Sequence, residues 1–81
     1  MTRVIRPLSA EVAVTTASTV SSASLVRAYA ANTAVVTVKE SGGATLGSFT
    51  IVGGTTEFVS KTPTDTIEAT LSTLCTSIAY T

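Results

Sequence analysis

Thr33-Ala-Val-Val-Thr-Val-Lys-Glu40, Ala44-Thr-Leu-Gly-Ser-Phe-Thr-Ile-Val52 and Thr55-Thr-Glu-Phe-Val-Ser-Lys61 are three runs rich in β-branched and aromatic residues, and they are parted by Ser41-Gly42-Gly43 and Gly53-Gly54. Runs of this composition favour strands. Glycine reaches the positive φ that tight turns demand without a Cβ clash. The spacing predicts an antiparallel meander, with a short loop at the first break and a two-residue hairpin at the second. Side chains alternate along a strand, so Ala34, Val36 and Val38 share one face against Val35, Thr37 and Lys39. Phe49 and Ile51 likewise oppose Ser48, Thr50 and Val52. Gly47, inside the second run, marks a bulge or a close backbone approach.

On the N-terminal side, Leu25-Val-Arg-Ala-Tyr-Ala30 reads as a strand with Val26, Ala28 and Ala30 toward the core. Its other face, with Arg27 and Tyr29, is left to solvent or an interface. Thr16 to Ser24 has Val20 as its only anchor and is read as a loop in preference to a poor strand or a helix start, because clustered Ser and Thr compete with helix hydrogen bonding. Glu11 to Thr15 is read as a strand. Met1 to Ser9 is read as an arm, in which Pro7 cannot donate to a central ladder; it is either a loosely held terminus or a segment that docks on a neighbouring subunit.

Beyond the meander, Lys61-Thr-Pro-Thr-Asp65 is a turn, with Pro63 fixing the corner and Thr62 held extended. Thr66 to Thr81 carries two signals. Ile67, Leu71, Leu74 and Ile78 sit at helical spacing. The dense Thr residues, and the alternation of Leu74, Thr76, Ile78 and Tyr80 with Cys75, Ser77 and Ala79, favour strand, turn, strand. The expected fold is all-β: a small antiparallel β-sandwich or flattened barrel of about 6–8 short strands, with an extended N-terminal arm over 1–9 and one domain over 10–81.

Composition limits the chemistry. Charged residues are 12% of the 81-residue chain, with five basic against five acidic, and the usual share is about 25%. So little charge, summing to zero, gives poor protection against association, so self-association is expected. Arg3, Arg6, Arg27, Lys39 and Lys61 are scattered rather than striped, which disfavours nucleic acid. No apolar run approaches the roughly 20 residues of a spanning helix, so no membrane partner is expected. Met1 to Leu8 lacks the apolar stretch of a secretory signal. The chain has no His and a single Cys, Cys75, so a Ser-His or Cys-His pair cannot form. Cys75 reads as a small buried apolar residue.

No catalytic, metal or cofactor site is expected, and the chain is read as a non-enzyme. Asp65 and Glu68 are better explained as a turn acid and a solvated strand residue than as a catalytic pair. Neither glycine pair leads into the Lys-Ser/Thr helix start of a phosphate loop. Phe49 and Phe58 read as core residues on neighbouring strands. Tyr29 and Tyr80 lack the further rings and amide partners of a sugar site. The candidate inter-subunit contacts are Arg3, Val4, Ile5 and Arg6 in the arm, with Arg27, Tyr29 and Tyr80.

Leu25-Val-Arg27, Gly47-Ser-Phe-Thr-Ile-Val-Gly-Gly54, Val59-Ser-Lys-Thr-Pro-Thr-Asp-Thr-Ile67 and the ending Thr76-Ser-Ile-Ala-Tyr-Thr81 resemble short virion structural proteins of tailed bacteriophages, marine and cyanobacterial ones above all. The resemblance runs from Leu25 to Thr81. It implies a non-enzymatic β-sandwich, made in the host cytoplasm and present in many copies on the virion, with itself and other virion proteins such as the major capsid protein as partners. Capsid decoration or cement is the expected role, with a neck, tail or fibre component, or a surface adhesive or carbohydrate-binding module, as the alternatives. No site residue is implied, because the shared positions are fold-forming ones.

Overall fold

The computed structural model describes residues 4–80. Alternation decides the core. Along β3 (Leu25–Ala30), Val26, Ala28 and Ala30 are fully buried, and along β4 (Ala34–Lys39) Ala34 and Val36 are buried while Val35 stays exposed. These two inner faces meet. Ile51 of β5 (Thr45–Ile51), Val59 of β6 (Thr55–Ser60), Ile67 and Ala69 of β7 (Thr66–Ala69) and Cys75 of β8 (Thr73–Tyr80) complete the cluster. With β1 (Ile5–Pro7) and β2 (Val12–Ala13), the eight elements among the described residues are all strands.

They form two antiparallel sheets, a small β-sandwich. The first sheet runs β1-β8-β3-β6 with β2 also on β8, and the second runs β5-β4-β7. The C-terminal stretch is therefore strand, turn, strand, with β7 and β8 in different sheets. Its helical spacing is a by-product of burying Ile67 and Ile78 from two strands.

Two expectations are corrected. The central runs are not a meander: β5 pairs with β4, but β6 pairs with β3 in the other sheet. Only Glu40 to Ala44 closes a hairpin, through Glu40 N–H to Ala44 O at 2.9 Å and Gly43 N–H to Glu40 O at 2.8 Å. Gly53-Gly54 instead arches from one sheet to the other. It lies against the parallel arch of Ala31 to Thr33, with Gly54 N–H donating to Ala30 O at 2.6 Å and Gly53 N–H to Thr33 Oγ1 at 3.0 Å.

Phe58 is the second correction, being 49% exposed. It is paired with Arg27 on the outer side of the first sheet, while its neighbour Val59, opposite Val26, takes the inner side. Phe49, in the second sheet, does pack against the core. Gly47 sits beside a bulge: Val38 faces Gly47 and Lys39 faces Thr45, leaving Leu46 as the extra residue.

The N-terminal segment edges both sheets in turn. Ile5, Arg6 and Pro7 pair with Tyr80, Ala79 and Ile78, and Val12 and Ala13 pair with Cys75 and Leu74. Between them residues 8–11 oppose only Thr76 and Ser77, so the ladder slips, and the Ser9 hydroxyl accepts from Ser77 N–H at 3.2 Å. Pro7, which has no N–H, is tolerated on such an edge. At Val14 the chain changes sheets: its N–H donates to Thr73 O in one, and its carbonyl accepts from Ala69 N–H in the other. Ser18 then exchanges bonds with Ile67 along the outer side of β7.

The loop after Ser18 contains three consecutive residues in the left-handed region, Val20, Ser21 and Ser22, with φ of 53°, 58° and 55°. Each costs roughly 1–2 kcal/mol. Fully burying a valine returns about 1.5–3 kcal/mol, and Val20 is buried. The turn is further closed by Ala23 N–H to Thr19 O and Ser22 N–H to the Thr19 hydroxyl. Lys61 fastens the same loop, its ammonium donating to Ala23 O at 2.7 Å and its backbone N–H to Ser24 O at 3.0 Å.

Candidate interaction surfaces

The outer face of the first sheet collects the side chains with the most binding potential. Register places Tyr29 between Thr56 and Leu74, and Arg27 between Phe58 and Thr76. Phe58 and Leu74 are 49% and 37% exposed, with Leu25, Arg27 and Tyr29 half-buried among them. An Arg27 guanidinium nitrogen lies 3.5 Å from a Glu11 carboxylate oxygen, both side chains partly exposed. Such a pair in solvent contributes at most about 1 kcal/mol.

Beyond the ion pair, the N-terminal segment flanks the same face at the β8 edge. Ile5 and Pro7 line a cleft with Thr76 and Ile78, which are buried although they lie outside the inter-sheet core. The cleft is shallow, about 310 Å³, with Arg27 and Glu11 at one end.

The structure thus brings Ile5, Arg27 and Tyr29 of the expected contact residues to one face. Arg6, opposite Ala79, falls on the other side of the sheet. Val4 is exposed. Tyr80 contributes backbone pairing with Ile5, and its side chain, like all of Arg3, lies outside the described residues. Phe58 and Leu74 belong to this face but were missing from the expected contacts. The signal for Leu74 was present in the alternation against buried Cys75. For Phe58 the pattern Thr56, Phe58, Ser60 against Thr55, Glu57, Val59 gives two faces without saying which is inner.

Several other polar groups serve the fold. Asp65 is buried and its carboxylate accepts from Thr62 N–H at 3.1 Å, with Asp65 N–H returning to Thr62 O at 2.9 Å. This closes the Pro63 turn. Burial lowers the Lys61 ammonium from its ordinary value, and the charge of Asp65 opposes that shift. Glu68 is 2.7 Å from the Lys39 ammonium on the outside of the second sheet. Burial in the core pushes the Cys75 thiol up to about 11, helped by the charge of Glu11, so at neutral pH it is an uncharged thiol with little nucleophilic character. Among the described residues, no three His, Cys, Asp or Glu side chains gather as a metal site would require.

Comparison with family models, with curated proteins and with solved structures finds no match to this chain.

Proposed function

We propose that this chain is a non-enzymatic structural protein of a tailed-bacteriophage virion, carried in many copies as a capsid decoration or cement protein, with copies of itself and the capsid protein as neighbours. The observation that carries the reading is the outer face of the first sheet. Aromatic side chains and Arg are enriched at protein interfaces, and here Tyr29, Phe58 and Arg27 stand together on a rigid sheet with Leu74 beside them. Thr56 and Ser60 on the same face are short side chains, whose burial against a neighbour costs little rotamer entropy.

A cement protein needs a folded tile with sticky faces and no reactive machinery. The Lys61 to Asp65 turn supplies the first: Lys61 ties down the 19–24 loop and Asp65 closes its own turn. Quantitative mass spectrometry of purified particles is the test. The expected result is this chain at many copies per particle, at a fixed ratio to the capsid protein; particles in which it is absent overturn the reading.

A further inference from the structure

A sheet edge presents unpaired backbone N–H and C=O groups and invites another strand unless it is blocked. Two sheets have four edges, and three of these are blocked. The β1/β2 edge carries Arg6, Pro7 and a slipped ladder. The β7 edge is covered by Ser18, which bonds Ile67 in both directions, and by Val14, which accepts from Ala69. On β6, Glu57 sits opposite Ala28 and so on the core side, yet it remains exposed at the rim. An inward-pointing charge on an edge is a known barrier to pairing, because an added strand must bury it.

The fourth edge, β5, has none of these devices over Gly47–Ile51. It is seven residues of Thr-Leu-Gly-Ser-Phe-Thr-Ile without charge or proline, and five of them are exposed. No charged residue occurs anywhere between Glu40 and Glu57. The bulge at Leu46 disturbs only the hairpin end; Gly47 to Ile51 continue in unbroken register with Val38 to Ala34.

We infer that β5 is the edge through which two copies of this chain pair, antiparallel and centred on Phe49, so that their second sheets become one continuous sheet. The occupant is a second copy because the segment complements itself about that centre. Phe49 meets Phe49 of the second copy, an aromatic cross-strand pair, and Ser48 meets Thr50, a hydroxyl pair; both are favourable cross-strand combinations. Gly47 meets Ile51, whose side chain is already buried in its own core, and the space where a Gly47 Cβ would point is open, with nothing within 4 Å, so this pair brings no clash. Being uncharged, the strand brings no like charges together on the dyad. Glu57 on the neighbouring β6 edge keeps the first sheets from joining as well, so the pairing selects one sheet. The inference rests on the reading of the chain as a self-associating tile and names its contact.

The test uses the full chain. Ser48 and Thr50 are exposed, so S48K/T50K leaves the core alone, and an unchanged thermal melt of the dilute protein verifies the fold. Light scattering is expected to give a dimer mass or a multiple of it for the native chain, and a lower mass for S48K/T50K. Register is read by mixing S48C protein with T50C protein and adding a short bis-maleimide, Cys75 being buried. The mixture is expected to cross-link faster than either variant alone.

Association undiminished by S48K/T50K overturns the β5 contact while leaving the tile reading intact. Faster cross-linking of either single variant alone overturns the centre on Phe49. A native chain that stays monomeric at every concentration overturns the pairing even where particles contain the chain.

Discussion

The two glycine pairs look alike in sequence and do different work. Gly42-Gly43 turns the chain within one sheet, and Gly53-Gly54 carries it from one sheet to the other. Their second members are equivalent: Gly43 and Gly54 have φ of 94° and 81°. The difference lies in the first members. A Cβ on Gly53 would stand 2.9 Å from Thr33 N, 3.0 Å from Asn32 Cα and 3.1 Å from Ala31 O, all backbone, whereas a Cβ on Gly42 would meet only the Glu40 carboxylate at 3.8 Å. A hairpin glycine faces solvent. An arch glycine is pressed against the neighbouring arch, because both crossovers leave the sandwich at the same end. A positive φ is therefore common to both turns, and close approach of a second backbone is what identifies the crossover.

That contrast predicts a ranking of substitutions. Gly53→Ala is expected to have the largest effect, about 3 kcal/mol of destabilisation, since backbone cannot rotate out of the way as a side chain can. In a domain of this size the melting temperature should fall by more than about 10 °C. A melt within a degree or two of the native one would mean that the arches are not in contact. Next come Gly54→Val and Gly43→Val. A β-branched residue at positive φ is strained, at roughly 1–3 kcal/mol, and chemical denaturation should place the two within error of each other. If Gly54→Val is much the worse, the arch constrains its second glycine too. Thr33→Val follows. It removes the hydroxyl that accepts from Gly53 N–H, a bond worth about 1 kcal/mol and less here because water can replace it at an exposed site; the denaturation midpoint should drop slightly with its slope unchanged.

The ranking also shows what the chain conceals. The inner faces of β3 and β4 were legible from alternation alone, because each strand has one face of small or branched apolar residues and a mixed one. The β4–β5 hairpin, the bulge beside Gly47, the Pro63 turn and the anchoring role of Val20 were legible for the same local reasons. The outer face holding Arg27 and Tyr29 followed from the β3 pattern. Sheet membership of β6 was not legible: a hairpin and an arch ask the same thing of Gly54, and the choice is made by β6 pairing with residues roughly thirty positions earlier in the chain. Phe58 was misassigned as a consequence, since large aromatics are usually buried and only the partner strand reveals that Val59 is the one opposite Val26. The sheet change at Val14 left no local mark either, because a β-branched residue suits both ladders.

Gly42→Ala has the smallest expected effect and separates the two turns most cleanly. Gly42 is not among the positive-φ positions, and its Cβ vector points at nothing rigid. An alanine there loses no native contact. It also restricts the unfolded chain, which at a compatible position stabilises by about 0.4–1 kcal/mol. The melting temperature should therefore hold or rise by a few degrees, opposite in sign to Gly53→Ala although the residue change is the same. A clear fall would show that the hairpin needs its first glycine, and the distinction between a turn within a sheet and an arch between sheets would then rest on pairing alone.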